Sequence, residues 1–85
     1  MDNLNQVKAL FFATLRDRAG IKSLELQIPL QTNVADFKKL LIEKYPALAV
    51  SMKHTLISIN HEYAFDEAII PDHAEIALFP PVSGG

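Results

Sequence analysis

Hydrophobic residues change their period along the chain, and each change marks an element. Residues 7–13 form an almost uninterrupted apolar run with Lys8 near its start. Such a run suits a strand buried on both faces, hence a central one. The mixed stretch from Thr14 to Gly20 fits one helical turn closed by Gly20. Residues 23–28 alternate, with Leu24, Leu26 and Ile28 on one side and Glu25 and Gln27 on the other. This predicts a half-buried strand ended by Pro29. Asn33 is a good helix N-cap, and Asp36 can reach back to it while favouring the positive helix end. Val34, Phe37, Leu40 and Leu41 then recur at helical spacing, opposite a mainly solvated face of Lys38, Lys39, Glu43 and Lys44. Pro46 stops this helix by pushing Tyr45 out of the helical region, and can open a short second helix over residues 47–53. Residues 54–59 read as a strand with Ile57 and Ile59 on one face. Asn60-His61 is a two-residue hairpin turn into a short strand over residues 62–65. Pro71-Asp72-His73 is another turn. Glu75–Phe79 is the last strand, with Ile76 and Leu78 on one side and Ala77 and Phe79 on the other. Pro80-Pro81 ends its pairing.

The order strand, strand, helix, strand, short strand, strand predicts an α+β fold, a mixed sheet of about five strands with one main helix across one face. The first and last strands are the most apolar and belong side by side at the centre. The outward side chains Ala77 and Phe79 are then apolar where a solvated face would be polar, which points to a protein partner. Three segments follow: a polar leader over residues 1–6, a domain over 7–79 and an extended tail over 80–85.

Composition narrows the chemistry. The chain has 85 residues, 49% hydrophobic and 21% charged, with a net charge of −2 and no cysteine. That is one small globular domain without disulfides, thiolate metal ligands or a catalytic cysteine. No basic run offers a footprint for nucleic acid. The longest apolar stretch, residues 9–13, is too short to span a bilayer, and no signal-peptide pattern opens the sequence, so a cytoplasmic location is the default. Of only three glycines, two are Gly84 and Gly85, the last residues of the sequence.

That ending is the candidate chemistry. Pro80-Pro81 forms a stiff, extended base, and six residues beyond Phe79 reach roughly 20 Å. Gly84-Gly85 is thin enough to thread a narrow tunnel. It presents a free α-carboxylate that a partner's ATP site can activate as an acyl-adenylate. An inert tail with an accidental Gly-Gly remains the plainer alternative. Other candidates are weaker. His54, His61 and His73 match no metal-ligand spacing. Ser83 has no evident base. Arg16 and Arg18 flank Asp17 as solvated charges, and Phe11-Phe12 reads as core and sheet packing.

Three stretches carry a resemblance: residues 7–13 followed by Leu15-Arg16; Tyr45-Pro46-Ala47-Leu48; and, the most specific, residues 75–85. Over residues 7–85 the sequence resembles the small subunits of molybdopterin synthase, sulfur carriers of the ubiquitin-like β-grasp class. The family often has glycine where this chain has His61 and His73, which bears on turn geometry. The resemblance implies that a ubiquitin-activating-type enzyme adenylates Gly85 with ATP, and that a persulfide donor converts it to a thiocarboxylate. It also implies that the tail then gives its sulfur to cyclic pyranopterin monophosphate in the large subunit. On this reading Gly85 and Gly84 carry the reaction. Arg16, Ala77, Phe79, Pro80, Pro81, Val82 and Ser83 meet partners, with Val82 seating the tail. The chain itself binds no cofactor or metal and supplies no catalytic machinery, and two carriers on a dimer of large subunits make a heterotetramer. A thiamine-pathway sulfur carrier and a ubiquitin-like protein modifier share the fold and the Gly-Gly end.

Overall fold

The computed structural model describes residues 3–80. The elements in chain order are β1 (Leu4–Phe11), α1 (Thr14–Ala19), β2 (Ser23–Pro29), α2 (Val34–Lys44), a 3₁₀ turn (Pro46–Leu48), α3 (Ala49–Met52), β3 (Leu56–Ile59), β4 (Glu62–Ala64) and β5 (Glu75–Phe79). They form one five-stranded sheet in the order β2-β1-β5-β3-β4. β1 and β5 pair in parallel at the centre, as their apolar runs predict, and the other neighbours are antiparallel. A mixed sheet with one main helix is the β-grasp arrangement that the resemblance implies.

Local chemistry explains most boundaries. Asn33 Oδ1 accepts the Asp36 amide at 2.8 Å, capping α2. Tyr45 leaves the helical region at φ −130° and ψ 81°, as the residue before Pro46 must. Gly20 closes α1 at φ 81°, its amide donating to Arg16 O at 2.8 Å. Asn60 and His61 both have positive φ, 50° and 75°, the signature of a type I′ hairpin. Asn60 also clamps β5, accepting the Glu75 amide on Oδ1 at 2.9 Å and donating its own amide to Glu75 O at 2.8 Å.

Several expected limits move. β1 begins at Leu4 and ends at Phe11, so residues 4–6 are strand where a polar leader was expected. Their partners are Pro29, Ile28 and Gln27. They are also fastened on the other side: the Gln6 amide donates to Asp72 Oδ1 at 2.7 Å, and the His73 amide donates to Gln6 O at 2.7 Å. β3 starts two residues later than expected, because His54 and Thr55 close the preceding turn through bonds to Ser51 and Met52 carbonyls. β4 ends at Ala64 and leaves Phe65 outside the strand. The second helix divides into the 3₁₀ turn and α3.

The core lies between the sheet and α2. Val7, Ala9, Phe11, Ile28, Ile57, Ile76 and Leu78 meet Val34, Phe37 and Leu41, with Leu15, Leu48 and Met52 closing the ends. Phe37 is fully buried, and Phe11 packs edge-on against Tyr45 with centroids 6.2 Å apart. Among the described residues, only this face has a helix over it.

The sharpest backbone feature is Ala13, at φ 53° and ψ −129°. Phe12 O accepts the Leu15 amide at 3.1 Å, so Ala13 holds the first central position of a type II′ turn, which favours glycine. Ala13→Gly should therefore raise stability by about 1 kcal/mol. A lower denaturation midpoint in urea would contradict this. Phe37→Ala should cost about 3–5 kcal/mol in the same assay, and a loss well under that range would show that the α2 contact is not central to the core.

Candidate functional site

The uncovered face is read directly from the strand register. Lys8 stands beside Glu75, Leu10 beside Ala77 and Phe11 beside Leu78 across the parallel pair. Leu56 is opposite Phe79 and Ser58 opposite Ala77, while Ser58 is opposite Tyr63. Side chains two apart share a face, so the open side carries ordered rows. Glu25, Lys8 and Glu75 form a polar row near the start of β5. Leu10, Ala77, Ser58 and Tyr63 form the next. Phe12, Phe79 and Leu56 form the last, at the end where the chain leaves β5. Polarity thus falls along the face toward the tail.

Two members of the last row, Phe12 and Phe79, come from neighbouring strands that run the same way, and Leu56 joins them from the antiparallel β3. The Phe12 amide donates to Leu78 O at 3.2 Å, extending the β1–β5 ladder by one step beyond Phe11. The ring of Phe12 then stacks on Phe79, centroids 4.8 Å apart and planes 12° from parallel. Phe12 is 42% exposed and Leu56 38%, while Phe79 and Pro80 are half-buried. Beside them lies a shallow depression of about 270 Å³, lined on its apolar side by Leu10, Phe12, Tyr63, Ala77 and Phe79.

These positions revise two expectations. Ala77 was expected to be exposed and is buried, because Leu10 and Ser58 flank it on the same face. Phe79 is half-covered by Phe12. Phe12, expected as core and sheet packing, does pack across the sheet on Phe79, and it is the more exposed ring of the pair. The signal for it was the strand period: in a run where Phe11 faces the helix, Phe12 must face away.

The other candidates separate. Arg16 sits exposed on α1, outside the apolar rows and without an ion pair among the described residues. His61 Nε2 is 3.6 Å from Glu75 Oε1 and His73 Nε2 is 3.4 Å from Asp72 Oδ2, both at exposed turns. No group of three His, Asp or Glu side chains able to hold a metal ion occurs among the described residues. No helix there is long and apolar enough to cross a membrane. Pro81, Val82, Ser83, Gly84 and Gly85 lie outside the described residues, and Pro80 is the last tail residue within them.

Known proteins share both the domain and the tail. A family model described as the ThiS family matches residues 9–85. The molybdopterin synthase sulfur carrier subunit of Arabidopsis thaliana is 32% identical over 80 residues, covering 94% of this chain and 83% of the relative. Its namesake from Caenorhabditis briggsae is 33% identical over 81 residues, covering 93% and 96%. In three dimensions, the crystal structure of SAMP1 from Haloferax volcanii matches with a TM-score of 0.83 at 28% identity, covering 95% of this chain and 100% of that one. The match thus spans the sheet, the helix and the Gly-Gly end together, and the chain belongs to the ThiS family, with the molybdopterin synthase sulfur carrier subunits among its members.

Proposed function

We propose that this chain carries sulfur for molybdopterin synthesis as a thiocarboxylate on Gly85. The observation that supports this most is the Phe12–Phe79 plate at the root of a tail ending in Gly-Gly. A carrier must be gripped by its partner while its terminus enters an active site. A rigid apolar patch beside the exit point meets that need, because packed aromatic anchors concentrate binding energy.

The chemistry asks little of this chain beyond the terminus. In an adenylating enzyme of the ubiquitin-activating type, a Gly85 carboxylate oxygen attacks the α-phosphorus of ATP and pyrophosphate leaves. The terminal sulfur of a persulfide then displaces AMP. A second thiol then attacks the donor's sulfur in the resulting acyl disulfide, forming a new disulfide with the donor and releasing the thiocarboxylate on Gly85. In the large subunit of molybdopterin synthase, that sulfur forms a bond to a side-chain carbon of cyclic pyranopterin monophosphate as the carbon–oxygen bond at that carbon breaks and the oxygen leaves. Water then cleaves the acyl–sulfur bond and restores the carboxylate. On this reading Pro80 and Pro81 favour an extended tail, Val82 seats it in the partner, Ser83 meets the partner, and the absence of side chains at Gly84 and Gly85 lets it enter a narrow channel. The chain functions as a donor subunit, with ATP and the pterin bound by its partners. Two carriers on a large-subunit dimer give a heterotetramer, and the site of action is the cytoplasm.

A second reading, conjugation to protein lysines through Gly85, draws on the likeness to SAMP1, whose name is small archaeal modifier protein 1. Isopeptide-linked Gly-Gly remnants in cells would favour it, and thiocarboxylate alone would favour the carrier.

Intact mass after incubation with a competent activating enzyme, ATP and a sulfur source should show one oxygen replaced by sulfur. An unchanged mass would refute the proposal. Deleting Gly85 should abolish the replacement and leave the urea midpoint unchanged. Phe12→Ala should weaken binding to the large subunit roughly 10–100-fold, as loss of a central aromatic anchor does. Titration calorimetry showing wild-type affinity would remove Phe12 from the docking surface.

A further inference from the structure

Beyond Leu56 the apolar row does not stop. Ile57 is opposite Ala64 across the β3–β4 hairpin, and continuing that register by one residue sets Phe65 opposite Leu56. Phe65 is 80% exposed and Tyr63 75%. Both line an open groove of about 580 Å³ that runs from Leu56 to Lys38 on α2. Adjacent strands are about 4.8 Å apart. A protein that receives the tail at Phe79 therefore abuts Leu56 and the mouth of this groove.

The groove has a sign. Asp66 and Glu67 form its lip, and Glu62 lines the far side of Tyr63 and Phe65. All three are exposed. The single cation in the lining, Lys38, donates to Asp66 Oδ1 at 3.2 Å, with its side chain only 18% exposed. Glu62 and Glu67 have no ion-pair partner among the described residues. Two exposed aromatic rings thus stand among three carboxylates and one engaged ammonium. A second copy of this chain would bring the same acidic lip against the first, and a polyanion would be repelled. A basic protein segment with an apolar anchor satisfies both the rings and the carboxylates.

We propose that Tyr63, Phe65, Asp66 and Glu67 form a second docking site for the tail-receiving large subunit. Its occupant is an extended segment of that subunit, which lays an apolar side chain between the two rings and a Lys or Arg against the acidic lip. This rests on the carrier reading and names where the carrier's partner holds it apart from the tail. The aromatic pair supplies the anchor. The carboxylates speed encounter and orient it, which makes this end of the surface salt-sensitive.

The test uses the full chain with its large subunit. Binding kinetics are measured for wild type, Phe65→Ala and Glu67→Lys at low and high salt. Both positions are exposed, so both variants fold. Phe65→Ala should raise Kd about tenfold, mainly through faster dissociation. Glu67→Lys should slow association severalfold at low salt and flatten its salt dependence. Thiocarboxylate formation by the activating enzyme should proceed as in wild type for both. Wild-type Kd and salt dependence in both variants would overturn the second site while leaving the carrier reading intact. Wild-type protein that neither binds the large subunit nor gains sulfur would overturn the carrier reading, and the second site with it.

Discussion

Everything functional in this fold depends on the parallel pairing of β1 with β5. Parallel strands end on the same side of a sheet. Phe12, one residue past β1, therefore meets Phe79, the last residue of β5, and the two rings stack where the tail leaves the domain. An antiparallel pair would put Phe12 at the opposite end and leave the tail root with a single aromatic. Parallel pairing requires a long crossover. That crossover is where β2, α2, β3 and β4 are inserted. The helix needed to close the core is thus also what allows the tail root to be built.

The same pairing divides the labour of the sheet. One face is sealed by α2, with Phe37 and Leu41 buried against Ile76 and Leu78. The other carries no helix among the described residues, and its side chains grade from Lys8 and Glu75 to Phe12, Phe79 and Leu56. On the proposed reading, docking on that face can alternate between an activating enzyme and the synthase without disturbing the core.

Much of this was legible in the residues, for identifiable reasons. The uniform apolar run of β1 and the alternation of Ile76 and Leu78 in β5 both reported burial, and they placed these strands at the centre. Asn33 and Pro46 bounded α2 through local backbone chemistry. What sequence reasoning missed depended on contacts between distant segments. Residues 4–6 look polar, yet become strand because Gln27, Ile28 and Asp72 supply their hydrogen bonds. Ala77 looked exposed, and is covered by neighbours whose identity only the register reveals. Phe12 packs across the sheet as expected, but its stacking on Phe79 at the open face depends on the turn at Ala13, a conformation that an alanine side chain does not announce. The chemistry assigned to residues 80–85 is read from their sequence and from the resemblance, and residues 81–85 lie outside the described structure.

On the proposed reading, partners grip the open face at the end of β5 while the helix-covered core supplies stability. Chemical-shift mapping of the isotopically labelled chain on titration with its large subunit tests this most directly. Perturbations should concentrate at Phe12, Leu56, Tyr63, Phe65, Phe79 and residues 80–85, with a smaller response at Lys38 through Asp66 and with β2 and the rest of α2 unmoved. Perturbations centred on α2, with Phe12 and Phe79 unchanged, would contradict it.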